Sequence, residues 1–250
     1  MIRRRMVRRS TPVMGTVATV EIADPVEEAD RLIDEVFAWF HAVDERFSTY
    51  RPDSEVSRLG RGELRPDACS ADLVHVLDTC TQLWKDTGGY FDCYATGRFD
   101  PSGYVKGWSV QRASELLSAS GATNHLVDVG GDIQTRGRPA PDARWEVGIR
   151  HPFDATMVCW VIAGTDLAVA TSGTYERGYH VVDPLTGGLA RALRSVTVVG
   201  RDLGTTDGYA TAALAMGLPA LQWLAALDGY AAGVVTADGG CYRSDNLPVL

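Results

Sequence analysis

Helical and strand patterns are segregated along this 250-residue chain, and that segregation excludes most of the folds open to it. One alternating strand comes first, over residues 13–23, with Thr16, Ala18, Val20 and Ile22 on one face. Three helical patterns follow. Asp24-Pro25 supplies a cap and an N-terminal proline, and Ala29, Leu32, Ile33, Val36, Phe37, Phe40, Val43 and Phe47 recur at helical spacing. Ser70 caps a second helix that carries Val74, Leu77, Cys80 and Trp84 and stops at Gly88-Gly89. A third runs from about Tyr104 to Ser120, ended by Gly121. Beyond it lie short β-rich runs at 125–129, 145–150, 158–163, 166–171, 179–182 and 194–199. Helices at about 205–216 and from Pro219 to about Leu227 come next, and strands near 230–236 and 240–243 close the chain. Without regular βαβ alternation, this order predicts an α+β fold with a largely antiparallel or mixed sheet packed by helices.

Composition narrows the function classes. A hydrophobic content of 45% suits one large core, and no repeat or long linker divides the chain, so residues 13–250 are expected to form a single domain. Residues 1–12, with Arg3, Arg4, Arg5, Arg8 and Arg9, read as a solvated, disordered basic tail. No apolar run of the secretory kind follows it, and no stretch approaches the length of a membrane span. The five cysteines are scattered and lack a C-x-x-C pair, which fits buried thiols in a reducing, cytoplasmic setting. The formal charge of −8 argues against non-specific nucleic-acid binding. An anionic ligand would therefore need its positive charge supplied locally.

The common nucleotide-loop, paired-histidine and nucleophile-elbow signatures are missing, which leaves polar clusters at element ends. Met14-Gly15-Thr16 heads the first strand, and Ser48-Thr49-Tyr50 follows the first helix. Asp100-Pro101-Ser102-Gly103 leads into a helix whose first turn holds Lys106, either a phosphate cradle or an ordinary helix start. Gly130-Gly131-Asp132 is either a close backbone approach or a simple turn. His180 stands among hydroxyls, Arg177 and an Asp183-Pro184 turn, where a general base is as credible as a structural histidine. Asp207 and Thr211, at i and i+4, put a carboxylate and a hydroxyl on one helix face, as an octahedral Mg²⁺ site or as a cap and a packed residue.

The order of these clusters is more specific than any one of them. Met-Gly-Thr, Ser-x-Tyr, Gly-x-Phe-Asp, Lys-Gly, Gly-Gly-Asp, Trp-x-Val-Gly-Ile, Thr-Ser-Gly, His-x-x-Asp-Pro-x-Thr-Gly and Asp-x-x-x-Thr-Ala occur in succession from Met14 to about Gly217. The succession resembles the ApbE family of FAD:protein FMN transferases. The resemblance implies a T-fold-like domain with FAD in a cleft. It implies that Asp207, Thr211 and the Gly103 carbonyl bind Mg²⁺, that His180 is the base, and that Lys106 lies near the pyrophosphate. It further implies that Met14 and Tyr50 lie against the nucleotide and Thr171 and Ser172 near its phosphates. The reaction so implied moves FMN from FAD onto a Thr or Ser hydroxyl of an acceptor protein and releases AMP. The same residues are compatible with an FAD pyrophosphatase or with a non-catalytic flavin- or deazaflavin-binding protein. Two features of the chain bear on this. The span Cys93 to Phe99 is shorter than in many family members, and Ser120-Gly121-Ala122-Thr123 resembles the family's acceptor tetrapeptide, which would require modification by another molecule.

Overall fold

The computed structural model describes residues 6–24, 26–175, 178 and 181–250. An eight-stranded, wholly antiparallel sheet organises the chain: β1 (Val7–Val13), β2 (Thr16–Ile22), β3 (His125–Val129), β4 (Asp132–Arg136), β7 (Ala168–Gly173), β8 (Leu193–Gly200), β9 (Ala231–Thr236) and β10 (Cys241–Arg243), adjacent in that order. A separate hairpin, β5 (Trp145–Arg150) and β6 (Val158–Gly164), lies apart from it. The helices are α1 (Ala29–Phe47), α2 (Glu55–Gly60), α3 (Ala71–Asp86), α4 (Ser102–Ala119), α5 (Leu203–Met216) and α6 (Ala220–Ala225). This is the expected α+β architecture.

Alternation along the central strands assigns the two faces of the sheet. Ala168, Ala170, Val196, Val198, Ala232 and Val234 join the helix-side core with α1, α4 and α5. Their neighbours Val169, Val199 and Ala231 turn the other way, onto Val147, Ile149 and Ile162 of the β5–β6 hairpin. Both faces are thus covered, which is why these strands read as continuous apolar runs. A second helical cluster joins α1, α3, α4 and α5 through Phe47, Leu73, Leu83, Trp108 and Tyr209, with Trp39 and Phe47 edge-on to Trp108.

Several elements depart from the sequence reading. Residues 7–12 of the expected tail form most of β1, paired with β2 along its full length. Its polar Arg–Thr composition hid it, and its position at the sheet edge accommodates Pro12, which needs no ladder partner for a missing N–H. β4 was not anticipated, because its buried positions are Asp132, Gln134 and Thr135 rather than apolar residues. α1 begins at Ala29 instead of at Asp24-Pro25: Asp24 accepts hydrogen bonds from the Asn124 backbone and side-chain amides, each at 2.6 Å, and so ties the end of β2 to the start of β3. Ser70 does cap α3, accepting from the Leu73 N–H, and Ser54 caps the unanticipated α2. The expected strand at 179–182 falls partly outside the described residues.

His125 is fully buried at the start of β3. Its Nδ1 lies 2.7 Å from the Ala122 carbonyl, an acceptor, so Nδ1 carries the proton and Nε2 accepts from the Ser114 hydroxyl at 2.7 Å. Burial lowers its pKa to about 4. The unfolded chain then binds a proton that the native state rejects, so stability should fall as pH drops from 6.5 toward 4. The loss is about 3 kcal/mol at full protonation. Urea unfolding across that range should show the slope in the wild type and a flatter profile in His125→Gln, whose amide offers both a donor and an acceptor; an unchanged slope would refute this origin.

Candidate active site

Two tight hairpin turns lie side by side at one end of the sheet. Val13 pairs with Thr16 across Met14-Gly15, both with positive φ (50° and 70°), and Val129 pairs with Asp132 across Gly130-Gly131 (60° and 91°). Two-residue loops with positive φ match the twist of antiparallel strands, which is why glycine dominates them. Met14 is the one non-glycine residue with positive φ among those described. The turns abut closely: a Cβ on Gly130 would fall 2.8 Å from Thr16 Oγ1. The same end holds the start of β4 and the end of β7, because Ile133 pairs with Val169 and β7 runs on to Gly173.

The helices bring charge to this end. α4 and α5 approach so tightly that a Cβ on Gly107 would sit 2.5 Å from the Leu203 carbonyl oxygen and 2.7 Å from Asp207 Cβ. The contact lets the Gly107 N–H donate to Asp207 Oδ2 at 3.0 Å, across 100 residues of sequence. Asp202, not Asp207, caps α5, accepting from the Thr205 N–H at 2.7 Å. Asp207 is therefore free of a capping role and lies inside the helix with 3% of its surface exposed. Lys106 forms an ion pair with Asp132 at the head of β4, and its Nζ lies 3.8 Å from Asp207 Oδ2. Burial, reinforced by the nearby Asp132 carboxylate, pushes Asp207 well above the usual carboxylate range, with Lys106 and the Gly107 N–H opposing. Asp132 is itself fully buried, and its Oδ1 has no hydrogen-bond partner.

One turn further along α5, the Thr211 hydroxyl meets Ser172 Oγ at 3.3 Å. Gly103 stands beside it: a Cβ there would come 3.1 Å from Thr211 Oγ1 and 3.4 Å from the Phe91 ring. Lys106, Asp207, Thr211, Ser172 and Gly103 are thus neighbours at this end of the sheet. Met14 packs against both helical clusters at the same end. Thr171 is not part of the group: it faces the opposite side of β7, where its hydroxyl pairs with Thr197 at 2.9 Å. Tyr50 is 95% exposed in the turn after α1 and touches none of these residues. His180 lies outside the described residues, although the Asp183-Pro184-Leu185-Thr186 turn that follows is built as its sequence suggests, Asp183 accepting from the Leu185 N–H and the Thr186 hydroxyl. Asp132 is the residue to which sequence reasoning gave no role; its one signal was a carboxylate directly after two glycines.

The chemistry of the donor set is legible. Among the described residues no three His, Cys, Asp or Glu side chains converge to hold a metal. What the site offers instead is carboxylate, hydroxyl and backbone oxygens around a lysine, a set suited to a hard divalent cation that retains water or ligand oxygens, and to phosphate. Asp132 Oδ1 has no hydrogen-bond partner among the described residues, and the Asp207 carboxyl is buried close to it.

These features define a polar cluster between a helical pair and the end of an antiparallel sheet. Comparison with known proteins gives the class a family. The ApbE family model matches residues 14–98 and 94–234, and the chain belongs to that family. A relative from Vibrio cholerae named FAD:protein FMN transferase is 27% identical over 272 aligned residues, which cover 84% of this chain and 81% of the relative. A Haemophilus influenzae protein of the same name is 24% identical over 85% of this chain and 81% of its own length. In fold, the chain superposes on the flavin transferase ApbE from Vibrio cholerae with a TM-score of 0.86 at 24% identity, covering 98% of this chain and 99% of that one. The ApbE protein of Thermotoga maritima gives 0.85 at 20% identity, with 96% and 97% covered.

Because the α4–α5 contact places Asp207, Gly107 tolerates no side chain. Gly107→Ala should cost roughly 1–3 kcal/mol of stability by overpacking against Leu203 and Asp207. Chemical denaturation measures this, with Gly121→Ser as a comparison where the space is open and only φ is strained. A Gly107→Ala variant as stable as the wild type would refute the contact.

Proposed function

We propose that the chain transfers FMN from FAD to a Ser or Thr hydroxyl of an acceptor protein, with Mg²⁺, releasing AMP. The observation that carries the reading is the convergence of Lys106, Asp207, Thr211, Ser172 and the Gly103 backbone at one end of the sheet. Its setting in a family whose curated relatives are named FAD:protein FMN transferase supports the same substrate. Residues 7–250 act as one catalytic domain in this reading, because β1 belongs to the same sheet. Among the described residues no helix is long and apolar enough to cross a membrane. Five unpaired thiols support a reducing, cytoplasmic setting.

Asp207, Thr211 and the Gly103 carbonyl would hold the metal, and Ser172 stands within reach of the same ligand oxygens. When bound, Mg²⁺ would offset the charge that develops on the pyrophosphate as its P–O–P link breaks. Lys106 binds the pyrophosphate from the α4 side, and Asp132 orients Lys106 from beneath. That arrangement explains how a protein of net charge −8 accepts an anionic dinucleotide. His180 takes the proton from the incoming hydroxyl. Such a transfer needs positioning and charge neutralisation more than covalent help. Thr123 is exposed beyond the C-terminal end of α4, whereas Gly103 and Lys106 open that helix. Eighteen residues of helix put about 27 Å between the two ends, so modification of Thr123 would need a second molecule.

Turnover of FAD with Mg²⁺, with and without a Ser/Thr acceptor peptide, tests the reading. AMP and FMN-peptide appearing together support it; AMP and free FMN at the same rate without acceptor would establish a pyrophosphatase instead. Asp207→Ala should lower AMP release on the order of 10³-fold while the fold persists by circular dichroism. His180→Ala should lower transfer roughly 10²–10⁴-fold with FAD affinity held within about tenfold. Collapse of affinity with normal turnover per bound FAD would make His180 a binding residue.

A further inference from the structure

Cys80 and Cys93 are 13 residues apart in sequence and yet share the wall of one open pocket of about 250 Å³, lined also by Leu77, Thr81, Trp84, Asp92, Tyr94 and Phe99. The chain reversal after α3 brings them together. The Trp84 carbonyl accepts from the Gly89 N–H, and Thr87 Oγ1 accepts from the Phe91 N–H, so the segment from Tyr90 to Phe99 doubles back along the last turns of the helix. The Cys93 carbonyl accepts from the Asp100 N–H at 2.8 Å and pinches the short 93–99 span shut. Both thiols belong to the same buried cluster, at 6% and 8% exposure, and both line the same pocket.

We propose that this pair is a redox modification site, at which a peroxide converts the two thiols to a reversible Cys80–Cys93 disulfide. The pocket is wide enough to admit an oxidant of that size. Burial and the neighbouring Cys80 sulfur suppress the acidity of Cys93. In the proposed step Cys80 attacks first, and either order gives the same bridge. The Cys80 sulfur attacks one peroxide oxygen, giving a sulfenic acid and one water; the Cys93 sulfur then displaces hydroxide from it, which leaves as a second water with the Cys93 proton. Two thiols lose two electrons and the peroxide gains them. The bridge ties α3 to a segment whose Phe91 ring lies against Gly103, so the modification reaches the edge of the candidate site.

The test uses the whole protein with a few equivalents of hydrogen peroxide, followed by alkylation under denaturing conditions and peptide mapping. The expected result is a mass lower by about 2 Da, a Cys80–Cys93 cross-linked peptide pair, and recovery of both free thiols with a phosphine reductant. Cys80→Ala and Cys93→Ala should each abolish the 2 Da loss; the wild-type map stands by itself if either variant fails to fold. Two alkylatable thiols at 80 and 93 after Cys241 has been oxidised would overturn the proposal, as would cross-links between other cysteines. Neither readout depends on flavin transfer.

Discussion

The packing of α4 on α5 at Gly107 is the contact on which the rest of the site depends. A single absent Cβ lets the two helices close to backbone distance, and only then can the Gly107 N–H reach a carboxylate 100 residues away. Asp207 is buried by that closeness, and burial raises the free energy of its charge. Lys106, next to Gly107, is delivered to the same place by the same helix turn and finds Asp132 on the sheet beneath. Helix pair and sheet are thus joined through one charged cluster rather than through apolar contact alone. Two carboxylates against one lysine leave the cluster short of positive charge, with one oxygen of Asp132 unpartnered. A protein optimised for stability alone would replace such a group with apolar residues at little cost.

How much of this could be read from sequence depends on which physical signal each element emits. α1 and α3 announce themselves because burial of one face imposes a period on their apolar residues, and the central strands because burial of both faces makes them continuous apolar runs. β1 and β4 emit no such signal. β1 is an edge strand of arginine, serine and threonine, and β4 buries Asp132 and Gln134 because it faces charge from α4 instead of core. Caps were legible where a serine stood alone before a helix, at Ser70. They were misread at Asp24, which instead bonds a distant loop. No local pattern distinguishes an aspartate that caps from one that bridges.

The site was legible in order but not in depth. Succession along the chain pointed to Lys106, Asp207, Thr211, Ser172 and Gly103, and these do converge. Thr171 next to Ser172 shows the limit: adjacent strand residues point to opposite faces, so a two-residue motif on a strand can place only one side chain in a given site. Asp132 was overlooked for the opposite reason. Its importance comes from a partner in another element, and a single sequence carries no trace of a pairing across 26 residues.

The two faces of the sheet divide the work of the molecule. On the hairpin side, Val169, Val199, Trp160 and Ile162 build a dry layer, and Trp160 lies so close that a Cβ on Gly233 would fall 2.8 Å from its ring. On the helix side, the apolar layer gives way at one end to oxygens and a lysine. The change occurs where the strands terminate in paired hairpin turns, because tight turns free the backbone and side chains at their margins from ladder duty. Met14 holds positive φ in one of them at an energetic cost that a glycine would avoid. Met14 packs against both helical clusters from that turn, and this packing offsets the strain of its backbone.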